Sequence, residues 1–254
     1  MTSDLGRVAF DHVLAGIAAS PWRDALVLRG SAAMPAWVGD RARLPGDIDF
    51  VVTPSADGAI QLPVVDLLRH LDGRPPHPRL RLDIGNASLD RFSDLDADVY
   101  TGESGIRVRI AWEAADRPDD EGILQIDFAA DESMPEPPVL APVPSLAGGA
   151  PIELPAAGPG LSLAWKLRWL DADQEDDGLA QAKDLYDAVV LAEAHPNCLT
   201  PALVAAVLPR RFAADQIPAW DVAWRRLRDL GGRPIAGDAD AWLARLHRTM
   251  PDDL

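Results

Sequence analysis

Two short polar motifs lie beside two neighbouring apolar runs near the N-terminus. Gly30 and Ser31 follow one run, and Asp47 and Asp49 open the next, which covers 47–52. Successive side chains of a β-strand point to opposite faces, so both aspartates are expected on one face. Two such carboxylates repel each other and lose hydration, and a divalent cation that prefers oxygen ligands, such as Mg²⁺, offsets both effects. The pattern therefore predicts a metal site at the start of this strand.

The Gly30-Ser31 pair precedes a segment, 32–38, that is predicted to be helical. Glycine lets a backbone approach a phosphate closely, and the N-terminus of a helix presents N–H groups to an anion. A helix cap is the commoner role of such a pair, so each motif is a weak signal alone. A Gly-Ser turn and helix that lead directly into Asp-x-Asp would place phosphate-binding amides beside a metal ion.

A third carboxylate, Asp127, lies inside the otherwise apolar run 124–128. Burying such a group is expensive unless it is paired or bound to a metal. One interpretation is an edge strand with Asp127 in water. If the strand instead lies beside the run 47–52, three carboxylates converge, as two-metal phosphoryl transfer requires.

Charged residues of interest also occur in the second half of the chain, in the segments around Lys166 and over 183–187 (KDLYD). A lysine among apolar neighbours normally extends to solvent, but Lys166 could reach a triphosphate as a point charge. Asp184 is placed to pair with Lys166 or with Arg168. Asp187 lies three residues further on the same helical face and is predicted to be solvated at the surface.

Composition limits the classes of function. The 254 residues carry a formal net charge of −16, which argues against a broad non-specific nucleic-acid surface but leaves room for a local basic groove. The single Cys198 excludes an internal disulfide framework and a cysteine-based zinc site. There is no signal-peptide pattern and no apolar run of membrane-spanning length, so a cytoplasmic protein without a membrane partner is expected.

The hydrophobic periodicity predicts an α/β fold in which a mixed sheet carries a helical layer. The predicted helices of the N-terminal half cover 7–20, 32–38 and 60–71. The predicted strands cover 24–28, 47–52, 80–84, 97–100, 106–112 and 123–129.

Three parts are expected along the chain. An α/β core covers 1–133, a Pro/Gly-rich connecting segment covers 134–160, and a helical domain covers 161–254. Short extended pieces such as Val139-Leu140 are expected within the connecting segment. In the helical domain, one predicted helix starts at Thr200-Pro201 and ends at Val207. Two further helices are predicted over 220–230 and 240–250.

In order and spacing the motifs resemble those of the AbiEii/AbiGii-type nucleotidyltransferases. These belong to the DNA-polymerase-β-like superfamily and occur as toxins of bacterial toxin–antitoxin and abortive-infection systems. The resemblance covers about residues 25–192, and its last run is the most specific. The matching runs are Leu28-Arg29-Gly30-Ser31, Asp47-Ile48-Asp49-Phe50, Trp165-Lys166-Leu167 and Lys183-Asp184-Leu185-Tyr186-Asp187.

The resemblance implies a polymerase-β-like nucleotidyltransferase core with a C-terminal helical domain. The implied reaction is Mg²⁺- or Mn²⁺-dependent transfer of a nucleotidyl group from an NTP to an acceptor hydroxyl. A tRNA 3′ end is the favoured acceptor, and a cognate antitoxin is an expected partner.

The resemblance also implies roles for individual residues. Asp47 and Asp49 would be metal ligands, and Asp127 would be the third acid of the metal site. Lys166 would contact the nucleotide, and Asp184 would hold Lys166 in place. The pair Gly30-Ser31 would form the phosphate-binding turn.

Alternatives remain open at this point. The acceptor could be a small cationic molecule, which the acidic composition favours. The chain could also be a catalytically silent module that binds a nucleotide or an antitoxin. If tRNA is the acceptor, a local groove is expected from the basic residues Arg41, Arg43, Arg210, Arg211, Arg225, Arg226 and Arg228.

Overall fold

The computed structural model describes residues 3–54, 64–75, 77–92, 104–117, 119–130, 132–209, 212–224 and 227–251. The chain forms two compact units. The first unit comprises Met1–Ala36, Pro45–Glu132 and Pro138–Ala156. The second comprises Trp37–Leu44, Ser133–Pro137 and Ala157–Leu254.

A seven-stranded mixed sheet forms the centre of the first unit. Its strands are β1 (Leu26–Arg29), β2 (Ile48–Val52), β3 (Leu80–Phe92), β4 (Gly105–Ala114), β5 (Glu121–Ala129), β6 (Val139–Val143) and β7 (Ile152–Ala156). They lie in the order β3-β4-β5-β2-β1-β7-β6. The pairs β1/β7 and β2/β5 are parallel, and the other neighbours are antiparallel. The prediction of an α/β fold with a mixed sheet is confirmed.

One face of this sheet is apolar because hydrophobic residues alternate along several strands in register. Phe50 lies opposite Leu28 on β1 and opposite Phe128 on β5. The rings of Phe50 and Phe128 stack with centroids 5.8 Å apart. Helix α1 (Asp4–Ala18) packs against β3, β4, β5 and β7, and α3 (Val64–Asp72) packs against β3. Burying each of these large apolar side chains completely stabilises the folded protein by roughly 1.5–3 kcal/mol.

The strands predicted at 80–84, 106–112 and 123–129 lie within β3, β4 and β5. The strand predicted at 97–100 and the first residues of the helix predicted at 60–71 lie outside the described residues. Helix α2 covers Gly30–Val38, so it includes the predicted helix, 32–38, and begins two residues before it.

The predicted connecting segment contributes two paired strands, β6 and β7, to the sheet. Val139-Leu140 lies in β6, in agreement with the extended pieces expected there. The turn between the two strands is held by Asp11 of α1, whose carboxylate accepts hydrogen bonds from Oγ of Ser145 and from the backbone N–H groups of Leu146 and Ala147. The hairpin is therefore anchored to a helix of the same unit.

Helices dominate the second unit. They are α4 (Pro159–Asp176), α5 (Ala182–Ala194), α6 (Pro201–Val207) and α7 (Ala239–Thr249). Helix α4 packs against α5 and α6, and α5 packs against α7. Thr200 caps α6 by accepting a hydrogen bond from the N–H of Leu203, as the Thr-Pro pair predicted.

The helix predicted over 220–230 is wrong. The described residues there form a short strand, β9 (Val222–Ala223), which pairs in parallel with β8 (Ala180–Gln181). Backbone groups of this region bond to distant segments: the N–H of Leu230 donates to the carbonyl of Ala42, and the N–H of Asp221 donates to the side chain of Gln174. These bonds replace those that a helix would make. In the described part of the chain, no helix combines the length and the apolar character needed to cross a bilayer.

Candidate functional site

A row of charged side chains crosses the sheet of the first unit on the face opposite the apolar row. Asp49 on β2 lies opposite Arg29 on β1 and opposite Asp127 on β5. Asp127 in turn lies opposite Arg107 on β4. Residues paired directly on neighbouring strands point to the same face, so the charges along the row run plus, minus, minus, plus. Two guanidinium groups thus flank two carboxylates.

Asp127 is the buried end of an ion pair. Nε and Nη2 of Arg107 each donate to a different oxygen of Asp127, both at 2.9 Å, and Nε2 of Gln125 donates to Oδ2 at 3.1 Å. Strand β5 lies between β4 and β2, so the interpretation of Asp127 as a residue of a solvated edge strand is wrong. A bidentate partner explains why a carboxylate is tolerated at this buried position.

Asp47 and Asp49 lie close to the same guanidinium. Both are half-buried, with Asp47 immediately before β2. The hydrogen bond with Asp127 is the main cause of the raised pKa of Arg107, and the negative charges of Asp127, Asp47 and Asp49 raise it further. Three carboxylates therefore converge on one cation, as the adjacency of the two strands predicted.

Gly30 sits against the carboxylate of Asp49. Its φ angle is +64°, and a β-carbon added there would lie 2.3 Å from Oδ2 of Asp49. The position thus requires glycine both for its backbone conformation and for the space that Asp49 fills. The neighbouring Ser31 is buried, and its Oγ has no hydrogen-bond partner among the described residues. The Gly30-Ser31 turn, the start of α2 and the acid pair, Asp47 and Asp49, therefore lie together in the first unit.

A second buried ion pair lies at the other end of the charged row. Arg29 bonds to Glu132, and both side chains are almost completely removed from solvent. Removing one member of such a pair leaves an uncompensated buried charge, which costs several kcal/mol, about 3–5. This pair is therefore part of the framework of the site.

The donor chemistry at Asp47 and Asp49 fits a hard cation. Mg²⁺ in proteins is commonly bound by one or two carboxylates, with phosphates and water as the remaining ligands. Among the described residues, no group of three or more His, Cys, Asp or Glu side chains is placed to hold a metal ion. The fit is therefore to a metal held by two carboxylates and a bound phosphate.

Lys166 lies in a buried ionic cluster of the second unit. Its Nζ is 2.6 Å from Oδ1 of Asp184 and 3.1 Å from Oδ2 of Asp187, and it lies 4.8 Å from the ring centroid of Trp169. Arg43 adds a second cation, with Nε 3.2 Å from both oxygens of Asp187. Two cations and two anions therefore balance inside the unit.

Asp187 is fully buried, with 0% of its surface exposed, so the prediction that it is solvated is wrong. The pairing of Asp184 with Lys166 agrees with the positioning role that the resemblance implied for Asp184. A contact between Lys166 and a nucleotide stays a prediction.

Burial and charge act in opposite directions on the pKa values of this cluster. Burial alone would lower the pKa of Lys166, but the charges of Asp184 and Asp187 outweigh it and the pKa is raised. Burial alone would raise the pKa of Asp184, but Lys166 and Lys183 outweigh it and the pKa is lowered. Both groups are therefore held in their charged forms.

Nearby Asp173 behaves differently. Burial, followed by the charge of Asp184, raises the pKa of Asp173 to about 6. Its Oδ2 accepts a hydrogen bond from the N–H of Gln181 at 3.2 Å. Asp173 is therefore a group of this unit that changes charge near neutral pH.

The predicted basic groove is only partly described. Arg41 is paired with Glu193, Arg43 with Asp187, and a side-chain N–H of Arg228 donates to the carbonyl of Gly232. Arg210, Arg211, Arg225 and Arg226 lie outside the described residues. The groove stays a prediction.

Among the charged residues of these clusters, Arg107 and Glu132 were given no role from the sequence, and Asp187 was predicted to lie in solvent. Hydrophobic periodicity placed Arg107 only within the strand predicted over 106–112. The signal that would have singled it out is strand pairing, because Arg107 becomes the partner of Asp127 only when β4 and β5 are in register.

Comparison with known families identifies a match over most of the chain. Residues 12–253 match the family model described as nucleotidyl transferase AbiEii toxin, type IV TA system. A search of the curated proteins gave no match.

Proposed function

The chain belongs to the AbiEii family of nucleotidyltransferase toxins of type IV toxin–antitoxin systems, and on that premise we propose that it transfers a nucleotidyl group from an NTP to a hydroxyl group of a tRNA 3′ end. The transfer forms a bond between the acceptor oxygen and the α-phosphorus, and pyrophosphate leaves. The cytoplasm is the compartment that supplies both substrates, and a cognate antitoxin is the partner that the family implies.

The observation that carries this proposal is the contact between the Gly30 turn and the Asp49 carboxylate. It joins two motifs that were weak signals separately. Backbone N–H groups at the start of α2 would donate to the bound phosphate, and so would the buried Oγ of Ser31, which has no partner among the described residues. Asp47 and Asp49 would hold Mg²⁺ or Mn²⁺ next to that phosphate. Such an ion supplies positive charge that stabilises the negative charge developing on the phosphoryl group.

In the second unit, Lys166 is proposed to balance charge on the triphosphate, and Asp184 to position Lys166. The ion pair of 2.6 Å supports the positioning role. A lysine kept cationic in a buried site is a strong electrostatic partner for a phosphate, since little solvent screens it.

A second acceptor class is favoured by the net charge of −16. An acidic surface attracts a small cationic molecule, such as an aminoglycoside-like compound, and repels a polyanion. This alternative keeps the chemistry and changes only the acceptor.

The experiment that tests the proposal is incubation of the protein with each α-³²P-labelled NTP, Mg²⁺ and total RNA. A parallel reaction replaces RNA with a set of cationic aminoglycosides, and a third uses γ-³²P-labelled NTP. Label from the α position should enter RNA of tRNA size, and label from the γ position should not. Label in the aminoglycosides alone would establish the second acceptor class. No transfer to either acceptor would overturn the proposal.

A further inference from the structure

Asp49 and Asp127 face each other on neighbouring parallel strands, about 4.8 Å apart in the pairing direction. Two carboxylates at this spacing repel each other, and the repulsion grows where solvent screening is weak. Asp127 nevertheless forms an ion pair with Arg107, which belongs to β4, the neighbour of β5 on the side away from β2. Arg107 is therefore a cation that the protein itself places beside the carboxylates of Asp47, Asp49 and Asp127.

The geometry of the pair fixes the guanidinium in one orientation. Both oxygens of Asp127 accept from Arg107, and one of them also accepts from Gln125. These bonds use most of the acceptor capacity of the Asp127 carboxylate. A metal ion at Asp127 would have to displace hydrogen bonds that are already well formed.

Arg107 also differs from the other arginine of the row. The side chain of Arg29 is 9% exposed and its partner Glu132 is fully buried, so that pair is closed to a ligand. The side chain of Arg107 is 28% exposed, whereas that of Asp127 is 11% exposed. The cation therefore faces solvent and the carboxylate lies behind it.

An NTP carries several negative charges, and the chain that would bind it has a net charge of −16. Phosphates that bind beside Asp47 and Asp49 need a cation close to those carboxylates. A guanidinium held in a fixed orientation is well suited to this role, because its planar N–H groups match phosphate oxygens.

We propose that Arg107 is a nucleotide-binding residue that contacts the donor phosphates, and that Asp127 positions Arg107 instead of binding the metal. This inference rests on the proposed nucleotidyl transfer. It gives Asp127 a different role from the one that the family resemblance implied.

The first test measures the binding of Mn²⁺ alone, by electron paramagnetic resonance, without nucleotide. Replacing both members of the pair, in the double variant Arg107→Gln/Asp127→Asn, leaves the charge of the site unchanged. If Asp127 only positions Arg107, this variant should bind Mn²⁺ within about threefold of the wild type. A metal ligand contributes substantially to affinity, so a loss of about tenfold or more would overturn the role given to Asp127. The single variant Arg107→Gln should bind Mn²⁺ more tightly, since a like charge is removed.

The second test measures the affinity for each NTP with Mg²⁺ by equilibrium dialysis. The variant Arg107→Gln should bind about tenfold or more weakly, as expected for loss of a charge-assisted hydrogen bond. The matched control is Arg109→Gln, two residues along β4 on the same face, where Arg109 is paired with Asp90. The control should stay within about twofold of the wild type, because Arg109 forms an exposed pair with Asp90 and does not pair with Asp127.

The outcomes separate the two proposals. If the wild type and the Arg107→Gln variant bind NTP with equal affinity, the role of Arg107 is overturned and the proposed transfer stays in place. A wild-type protein that binds no NTP would overturn the proposed function, and the role of Arg107 with it.

Discussion

At Gly30 the backbone φ angle is +64°, and Oδ2 of Asp49 lies too close to the position of an added β-carbon for ordinary contact. Gly39 has a similar φ angle of +56°, but among the described residues beyond its chain neighbours no atom lies within 4 Å of such a β-carbon. The two glycines therefore share the conformational requirement and differ in the packing requirement. The difference between the two glycines is therefore the contact of Gly30 with the Asp49 carboxylate.

The variant Gly30→Ala should lose more stability than Gly39→Ala. Each loses about 1–2 kcal/mol because alanine is disfavoured at positive φ. Gly30→Ala also has to displace the Asp49 carboxylate, which adds to its loss. Urea denaturation of both variants measures the difference, and equal losses would show that the contact with Asp49 does not constrain this position.

Asp173 gives the stability a pH dependence whose sign follows from its raised pKa. The folded-state pKa of about 6 lies above the ordinary value of 3.8, so between these pH values the folded protein keeps a proton that the unfolded chain releases. The free energy of unfolding should therefore rise as the pH falls from 7 to 5, relative to a variant that cannot take up this proton. Asp173→Asn is that variant, and it should be more stable than the wild type at pH 7. Urea denaturation at both pH values checks this, and parallel changes in the two proteins would contradict it.

At the residue scale, the sequence predicted that the Gly30-Ser31 turn lies beside the Asp-x-Asp strand, and the structure places Gly30 against Asp49. The roles of Gly30, Ser31, Asp47 and Asp49 in phosphate and metal binding stay predictions. Asp187 could not be assigned in this way, because one of its partners, Arg43, is 144 residues away in the sequence. An exposed and a buried aspartate have the same local pattern when the compensating cations come from distant segments.

At the scale of elements, the strands that alternate cleanly were predicted as strands of the sheet, and those that contain proline were predicted only as short extended pieces of a connecting segment. Strand β4 follows a strict period of two, so it was recognised. Strands β6 and β7 contain Pro142 and Pro155, and the proline-rich composition of their surroundings resembles that of a linker. Strand β6 is the edge strand there, and proline is tolerated in it because an edge strand has a side without ladder bonds. Strand β7 lies between β1 and β6.

The β6–β7 hairpin depends on its anchor to α1. The variant Asp11→Ala should destabilise the protein by about 2 kcal/mol, because it removes three hydrogen bonds to an ionised carboxylate. The control is Asp4→Ala on the same helix, where Asp4 forms an exposed pair with Arg79 and the loss should stay below about 1 kcal/mol. Thermal unfolding of both variants provides the measurement, and similar losses would contradict the anchoring role.

At the scale of the whole molecule, the net charge of −16 sets the conditions for any RNA acceptor. Binding must rest on local basic residues that act against the overall repulsion. Arg41 and Arg43 are already paired with carboxylates, so they approach RNA as members of ion pairs. Weak binding that responds strongly to ionic strength is the physical expectation.

The affinity for tRNA should therefore fall steeply as salt rises. Each contact between a basic side chain and a single-stranded phosphate contributes a slope of about −0.7 to the logarithm of affinity against the logarithm of salt concentration. Fluorescence anisotropy of labelled tRNA between about 50 and 200 mM salt measures this slope. A flat response would remove tRNA as the acceptor and favour the small cationic molecule.

The most direct measurement of the central claim compares transfer of α-³²P label by the wild type and by Asp47→Ala, with Asp40→Ala as the control. Asp40 is an exposed aspartate of the turn between α2 and β2. The wild type and Asp40→Ala should label the acceptor at similar rates. Asp47→Ala should be slower by about a hundredfold or more, because loss of a group that supports charge stabilisation in the transition state has effects of this size. Transfer by Asp47→Ala at the wild-type rate would contradict the assignment of this site.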